Sequence, residues 1–327
     1  MRSVAIAALV FVLLSVGGAF WLYRQYDAPG PLPGEANLVV PRGGLDVVAA
    51  SLTQQGVITR PWLFQLAAVA TRGDGSLHAG ELPFPAAASL RQVLVVLRTA
   101  KPVQHRLTIP EGLTAAEVAL LLERADAATG ESAVPAEGTI LPETYSYDRG
   151  TSREQLLDRG RIAMTRALDH AWATRTPALP LANSQEALIL ASIVERETAK
   201  PEERPLIAAV FLNRLRLGMK LQSDPTVIYA ASGGLGVLDH GLTRAELDRD
   251  DPYNTYRIAG LPPGPICMPG LASLRAVTQP AQTDALYFVA DGTGGHAFSS
   301  TEDEHLRNVA RWREIERARA QPASAQP

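Results

Sequence analysis

Residues 184–197 read SQEALILASIVERE, and this stretch constrains the fold more than any other. Ala187, Leu188, Ile189, Leu190, Ala191, Ile193 and Val194 leave a helix here with no polar face. A helix apolar all round is buried. Asn183 and Glu186 bracket its start as an N-cap and its N3 partner. Two carboxylates, Glu195 and Glu197, stand at its far end. A carboxylate reached through a buried helix sits at the edge of low dielectric, where its neutral form is favoured and its pKa rises. That is the property a general acid needs at neutral pH. Two residues apart on a helix, the two side chains point to nearly opposite sides, so at most one can occupy a given site. Glu195 shares its face with Leu188, Ala191 and Ser192. Glu197 lies beside the polar run that starts at Arg196.

A chain of 327 residues has room for about two domains of roughly 150 residues each. With 46% apolar residues it can build a core. The net charge is −3 and the two signs are interspersed, which excludes a polyanion-binding surface and nucleic acid as a partner. The one cysteine, Cys267, forbids an intrachain disulfide and reads as a small buried apolar residue between Ile266 and Met268. There is no HExxH, and the six histidines are scattered without metal-ligand spacing. Walker, dinucleotide and GxSxG motifs are missing as well. Asp291–Gly295 (DGTGG) is Gly-rich, yet it joins two strands and opens no helix, so it is no phosphate cradle. The expectation is chemistry without metal or cofactor.

Val4–Tyr23 is an uncharged apolar run of the length, about 20 residues, that spans a bilayer. Trp21 and Tyr23 at its outer end are interface-type aromatics. Bulky Phe20, Trp21, Leu22 and Tyr23 stand where a small-residue cleavage site would fall, so the run reads as an uncleaved anchor over residues 1–25. Tyr26–Glu35 (YDAPGPLPGE) reads as a stiff Pro/Gly linker without a packed core, ending at 36.

Beyond it the pattern is mixed. Leu38–Val40 reads as a strand, and Leu45–Gln54, Trp62–Val69 and Ser89–Leu97 as helices. The pattern L-x-[VI]-P-x-G before a helix occurs twice, at Leu38–Gly43 and Leu107–Gly112. Leu156–Ala173 is helical. Pro201, Glu202 and Glu203 open a helix that Gly218 ends. Leu286–Ala290 and His296–Ser299 form a hairpin, and Thr301 with Glu304 caps the last helix. Gln321–Pro327 is expected to be disordered, in a tail beginning at 319. Strands and helices without strict βαβ alternation favour α+β.

Polar and aromatic residues gather after the central helices. Gln222, Ser223, Asp224, Thr226 and Tyr229 follow the helix–Gly turn, and Tyr253, Asn254, Thr255 and Tyr256 form a dense turn. Leu261, Pro262 and Pro263 make a rigid segment, and His296 opens the second hairpin strand. Sugars require flat apolar surface beside amides and hydroxyls, which these segments supply. Each also has a structural reading. Tyr253–Tyr256 makes a turn, Asp224 caps a helix, and His296 pairs within the hairpin.

ASIVERET, FLNRLRLGMKLQSDPTVIY, YNTY, GLPPGPI and VADGTGGHAF, in this order, resemble the MltG (YceG-like) family of endolytic murein transglycosylases over Asn37–Asn308. The resemblance implies that Glu195, the first Glu of the SIVExE motif, is the catalytic acid/base. It also implies a LysM-like αβ subdomain over 37–105 and a catalytic α+β domain over 106–318. The Gln222–Tyr229, Tyr253–Tyr256 and Leu261–Pro263 segments with His296 would then line the groove. The substrate would be peptidoglycan glycan strands, cut internally at the MurNAc–GlcNAc β-1,4 bond, with a role as terminase of strand elongation. The bulk of the chain would lie outside the cytoplasmic membrane, near peptidoglycan synthases. Two other readings remain open. In one, a non-catalytic wall-binding module, Glu195 pairs with Arg214 or Arg216. In the other, a two-carboxylate hydrolase, Glu195 works with Asp224 or Glu143.

Overall fold

The apolar N-terminal run forms one unbroken helix, α1 (Arg2–Asp27), in a computed structural model that describes residues 2–320. Its span Ala5–Asp27 is long and apolar enough to cross a bilayer. The helix extends past the expected end of the anchor because nothing before Ala28–Pro29 breaks it. The expected tail lies outside the described residues from 321 onward, whereas Arg319 and Ala320 still belong to the last helix.

The chain divides into two compact units, one comprising residues up to His105 with Ser146–Thr151, the other Arg106–Tyr145 with everything from Ser152. After α1 the first unit runs β1 (Ala36–Val40), α2 (Leu45–Gln54), α3 (Pro61–Ala70), a short 3-10 turn, β2 (Gly80–Phe84) and α4 (Leu90–Thr99). β1 and β2 pair antiparallel with Leu38 opposite Leu82. Val40, Leu52, Phe64, Leu82, Phe84, Leu94 and Leu97 fill the core beneath them. Ser89 and Gln92 close a capping box at the start of α4.

The stretch expected as an unpacked linker is part of this unit. Leu32 is buried in the core, and its carbonyl accepts from the Ala87 amide while Gly30 donates to the Ala87 carbonyl. Asp27 and Gln25, at the end of α1, bond to Arg91 and Arg60. Proline and glycine set the local stiffness here, but the apolar side chain between them finds a core to enter.

β3 (Gln104–Thr108) pairs with β4 (Thr144–Asp148). The second unit then contains α5 (Ala115–Glu123), α6 (Arg153–Ala173), α7 (Ser184–Glu197), α8 (Arg204–Arg216), α9 (Asp224–Ala231), α10 (Arg244–Asp248), α11 (Leu271–Thr278), the hairpin β5 (Tyr287–Ala290) and β6 (His296–Ser299), and α12 (Glu302–Ala320). The strands form two-stranded pairs among helices, with β1–β2 and β5–β6 antiparallel, an α+β arrangement. α7 is its axis, packed by α6, α8, α9 and α11. Asn183 Oδ1 accepts from the Glu186 amide at 3.0 Å, and Glu186 Oε2 accepts from the Ala182 amide at 2.7 Å. Ala187, Leu190, Ala191, Ile193 and Val194 have no solvent exposure. α8 begins at Arg204 rather than at Pro201, since Pro205 takes the first-turn position and Pro201–Glu203 form a preceding turn.

Gly160 on α6 tests how tightly this core is closed. A Cβ there would stand 2.6 Å from the Cγ2 of fully buried Ile140. Gly→Ala in a helix normally gains roughly 0.5–1 kcal/mol. Overpacking a filled core costs about 1–3 kcal/mol. Gly160→Ala is therefore expected to lower the urea midpoint; a raised midpoint would show that Ile140 yields at little cost.

Candidate active site

α7 delivers its two terminal carboxylates to different environments. Glu195 turns inward. It is 8% exposed, its Oε1 accepts from Arg204 Nη2 at 2.8 Å, and its Oε2 accepts from the Gly270 amide at 2.9 Å. Arg204 also reaches Glu111 at 3.2 Å. Burial raises the Glu195 pKa, while the Gly270 amide and the Arg204 charge pull it down. Both oxygens are thus engaged within the protein. The pairing with Arg214 or Arg216 does not occur; Arg204, the first residue of the next helix, takes that place. Arg214 instead donates to the carbonyls of Leu221 and Leu286, and Arg216 to Asn213.

Glu197 points the other way, into a cleft of about 440 Å³ that it lines with Gln222, Asp224, Tyr256, Phe288 and His305, among others. Ser223 Oγ donates to Glu197 Oε1 at 2.5 Å. Burial pushes the Glu197 pKa up to about 7, and the nearby Asp224 charge adds to this; the Ser223 hydroxyl and Arg214 oppose it. A carboxyl that is half-protonated at neutral pH can give a proton and take one back. Tyr256 Oη donates to Asp224 Oδ1 at 2.6 Å, which holds the exposed Asp224 at the cleft edge. Gln222 stands at φ +54°, in the left-handed region, with its Oε1 accepting from Arg214 Nη1 at 3.3 Å. Such a conformation in a non-glycine residue is held only by its surroundings, here the Arg214 contact and the bond from the Gln222 amide to the Thr255 carbonyl.

The other residues expected at the groove divide into scaffold and separate clusters. Thr226, Asn254 and Thr255 have no solvent exposure. The Ser223 amide donates to Thr255 Oγ1 at 2.9 Å, Thr226 Oγ1 lies 2.9 Å from the same oxygen, and Asn254 Nδ2 donates to the Arg249 carbonyl at 2.8 Å. The two threonines hold the Ser223–Asp224 turn and Asn254 holds the loop that precedes Thr255, with none of the three open to solvent. The Tyr229 and Tyr253 rings meet at a tilt, centroids 5.0 Å apart, and the Tyr229 hydroxyl donates to Glu137 at 3.3 Å. Neither lines the cleft of Glu197. Leu261 packs on the core, Pro262 is buried and Pro263 is exposed. His296 pairs with Glu203, Nδ1 to Oε2 at 2.7 Å, so its polar edge is already used. Glu143 is exposed, with its carbonyl accepting from Ile109, and is not among the cleft residues. Phe288 and His305, brought to the cleft from the hairpin and the last helix, are lining residues that no local pattern singles out. Among the described residues no group of three or more His, Cys, Asp or Glu is placed to hold a metal.

The Glu197 carboxyl makes stability depend on pH in a definite direction. Its folded pKa, about 7, lies above the ordinary 4.5. Protonation therefore favours the folded state, fully at pH below about 4.5, and this contribution is lost as pH rises toward about 7. The stability of the wild type relative to Glu197→Gln should fall across that window and level off above it. Urea midpoints of both proteins over this range check it; a difference independent of pH would mean that Glu197 titrates as in water.

The profile of the YceG-like family matches residues 38–311. A protein of Streptococcus pneumoniae named endolytic murein transglycosylase is 30% identical over 95% of this chain, and one of Bacillus subtilis with the same name is 37% identical over 52% of it. The chain spans 65% of the length of the first and 46% of the second. The crystal structure of a yceG-like protein of Listeria monocytogenes superposes with a TM-score of 0.51 at 28% identity, over 84% of this chain and 99% of that one. With the match running from β1 into α12, through both carboxylates and the cleft around Glu197, the chain belongs to the YceG-like family.

Proposed function

We propose that this chain is a lytic transglycosylase that cuts murein glycan strands, with Glu197 as its acid and then its base. The observation that carries this reading is a carboxyl near pKa 7 opening into a cleft lined by an amide, a carboxylate and an aromatic hydroxyl. The relatives named endolytic murein transglycosylase supply the substrate class. Glu195, implied as the acid by motif position, is bound on both oxygens by Arg204 and Gly270, and we assign it instead to fixing the end of α7.

In this mechanism protonated Glu197 gives its proton to the oxygen of the MurNAc–GlcNAc β-1,4 bond. The C1–O bond breaks and positive charge develops at C1. The Glu197 carboxylate, steadied by the Ser223 hydroxyl and by Arg214, then takes the proton of the C6 hydroxyl of the same MurNAc. That oxygen closes on C1 to give a 1,6-anhydro end. The nucleophile is intramolecular, so it acts at high effective molarity and no water need be positioned. Gln222 and the Tyr256–Asp224 pair are suited to hold sugar hydroxyls, and Phe288 to support a ring face.

We further infer that α1 anchors the chain across the cytoplasmic membrane, with the cleft-bearing unit on the outer side where murein lies. The length and apolarity of α1 and the aromatics at its Trp21–Tyr26 end support this. An internal cut in nascent strands would make the protein a terminase acting beside peptidoglycan synthases. The β1–α2–α3–β2 order of the first unit supports the LysM-like reading of residues 37–105.

Glu197→Gln is expected to lower cleavage of isolated glycan strands by about 10²–10⁴-fold while the protein stays folded. Glu195→Gln breaks a buried ion pair and is expected to lose about 3–5 kcal/mol of stability, with the turnover of the remaining folded protein changed far less. The reverse pattern would return the acid role to Glu195. Cleavage in ¹⁸O-water should leave no label in the new MurNAc end, as mass spectrometry of the products reads directly. A labelled end would mean that water attacks C1, with Asp224 as the second carboxylate of a hydrolase.

A further inference from the structure

α3 is a ten-residue helix, PWLFQLAAVA, with a single polar side chain, Gln65. One face, Leu63, Phe64 and Ala68, enters the core of its unit. The opposite stripe is also apolar and is open. Trp62, Leu66 and Val69, spaced i, i+4, i+7, are 51%, 48% and 53% exposed. A helix apolar all round is normally enclosed. A continuous apolar stripe on the surface therefore marks a contact not yet made.

The stripe is continuous with the end of α1. The Trp21 ring stacks on Trp62, centroids 6.4 Å apart and planes within 10°. Arg60 lies over Trp21 at 5.4 Å and donates to Gln25 at 2.5 Å. Between the two helices is a cavity of about 230 Å³ lined by Leu22, Tyr23, Tyr26, Leu63, Leu66, Ala67, Ala70 and Thr71. Its walls are almost wholly apolar, which suits a hydrocarbon group. Trp21, Tyr23 and Tyr26 are the residue types that sit at headgroup level when a helix crosses a bilayer. Whatever packs on them is held at the same depth. Two exposed arginines bracket α3, Arg60 immediately before it and Arg72 in the turn that follows. The apolar stripe, with a cation at each end and aromatics beside it, matches the membrane-facing side of an interfacial helix, the place of that helix's polar face being taken here by the core of the unit.

We propose that α3 is a second membrane contact, lying in the leaflet that receives the outer end of α1. Trp62, Leu66 and Val69 enter the boundary between headgroups and acyl chains, a lipid chain occupies the cavity between α1 and α3, and Arg60 and Arg72 face lipid phosphates. This rests on the reading of α1 as a bilayer-spanning anchor. The first unit is then held to the membrane by two elements and cannot swing freely on its anchor.

The test is spin-label accessibility in the full chain, reconstituted into vesicles of phosphatidylethanolamine and phosphatidylglycerol. Labels are placed one at a time at Phe11→Cys in α1, Leu66→Cys and Val69→Cys. Cys267 is buried, so the unsubstituted chain serves as the labelling blank. The expected result is oxygen collision exceeding that of a water-soluble nickel chelate at 66 and 69, at a depth of about 5–10 Å, with a several-fold larger ratio at 11. A membrane-embedded label at 11 with water-exposed labels at 66 and 69 overturns the proposal and leaves the anchor standing. Labels at 66 and 69 shielded from both reagents would mean that a protein surface, such as a second copy, covers the stripe, and this also overturns it. A water-exposed label at 11 overturns the anchor itself.

Discussion

Desolvation at the C-terminal end of α7 is the constraint on which the rest of the second unit depends. The helix is enclosed by α6, α8, α9 and α11, and its apolar residues keep water from it up to the last turn, where the cleft opens beside Glu197. Two carboxylates carried to that point must either find a charged partner or keep a proton. The protein does both. Glu195 has Arg204 and an amide, and Glu197 has a hydroxyl and a raised pKa.

The direction of the pKa shift is the same for the two glutamates, so it cannot decide between them. Access decides. A proton can be exchanged with a substrate only by a carboxyl that faces open space, and of the two only Glu197 lines the cleft. Glu195 in turn holds the end of α7 against α8 and the Gly270 turn, which keeps the Glu197 side chain aimed. Losing Arg204 would leave a buried charge without its cationic partner, so the pair stabilises mainly by being complete.

Beneath the cleft, Thr226, Thr255 and Asn254 spend their polar groups on backbone and on one another. Their network pins the Ser223–Asp224 turn and the left-handed Gln222 that line the opening. Around Glu197, the polar residues are mostly scaffold. The ones that meet solvent, Gln222, Asp224 and Tyr256, are few because most hydroxyls and amides there satisfy buried backbone groups.

Periodicity and end signals made much of the fold legible from the sequence alone. Leu45–Gln54 is helical as its pattern requires, the buried helix starts at its Asn183 cap, and the hairpin flanks Asp291–Gly295. These are local properties, set by side-chain spacing and capping chemistry. The same spacing dictates that Glu195 and Glu197 point apart. What it leaves open is which side is open, because that depends on Arg204, Gly270 and Ser223, which reach the helix end from other segments. The start of α8 is ambiguous in the sequence for a related reason: two prolines, Pro201 and Pro205, offer the same signal, and the helix takes the second into its first turn. Packing also drew the Pro/Gly stretch after α1 into a core through Leu32, and set Trp21 on Trp62. The sequence alone determined the elements and the presence of an acid at a buried helix end. Tertiary structure decided which acid meets solvent, since exposure is a property of the neighbours and not of the residue.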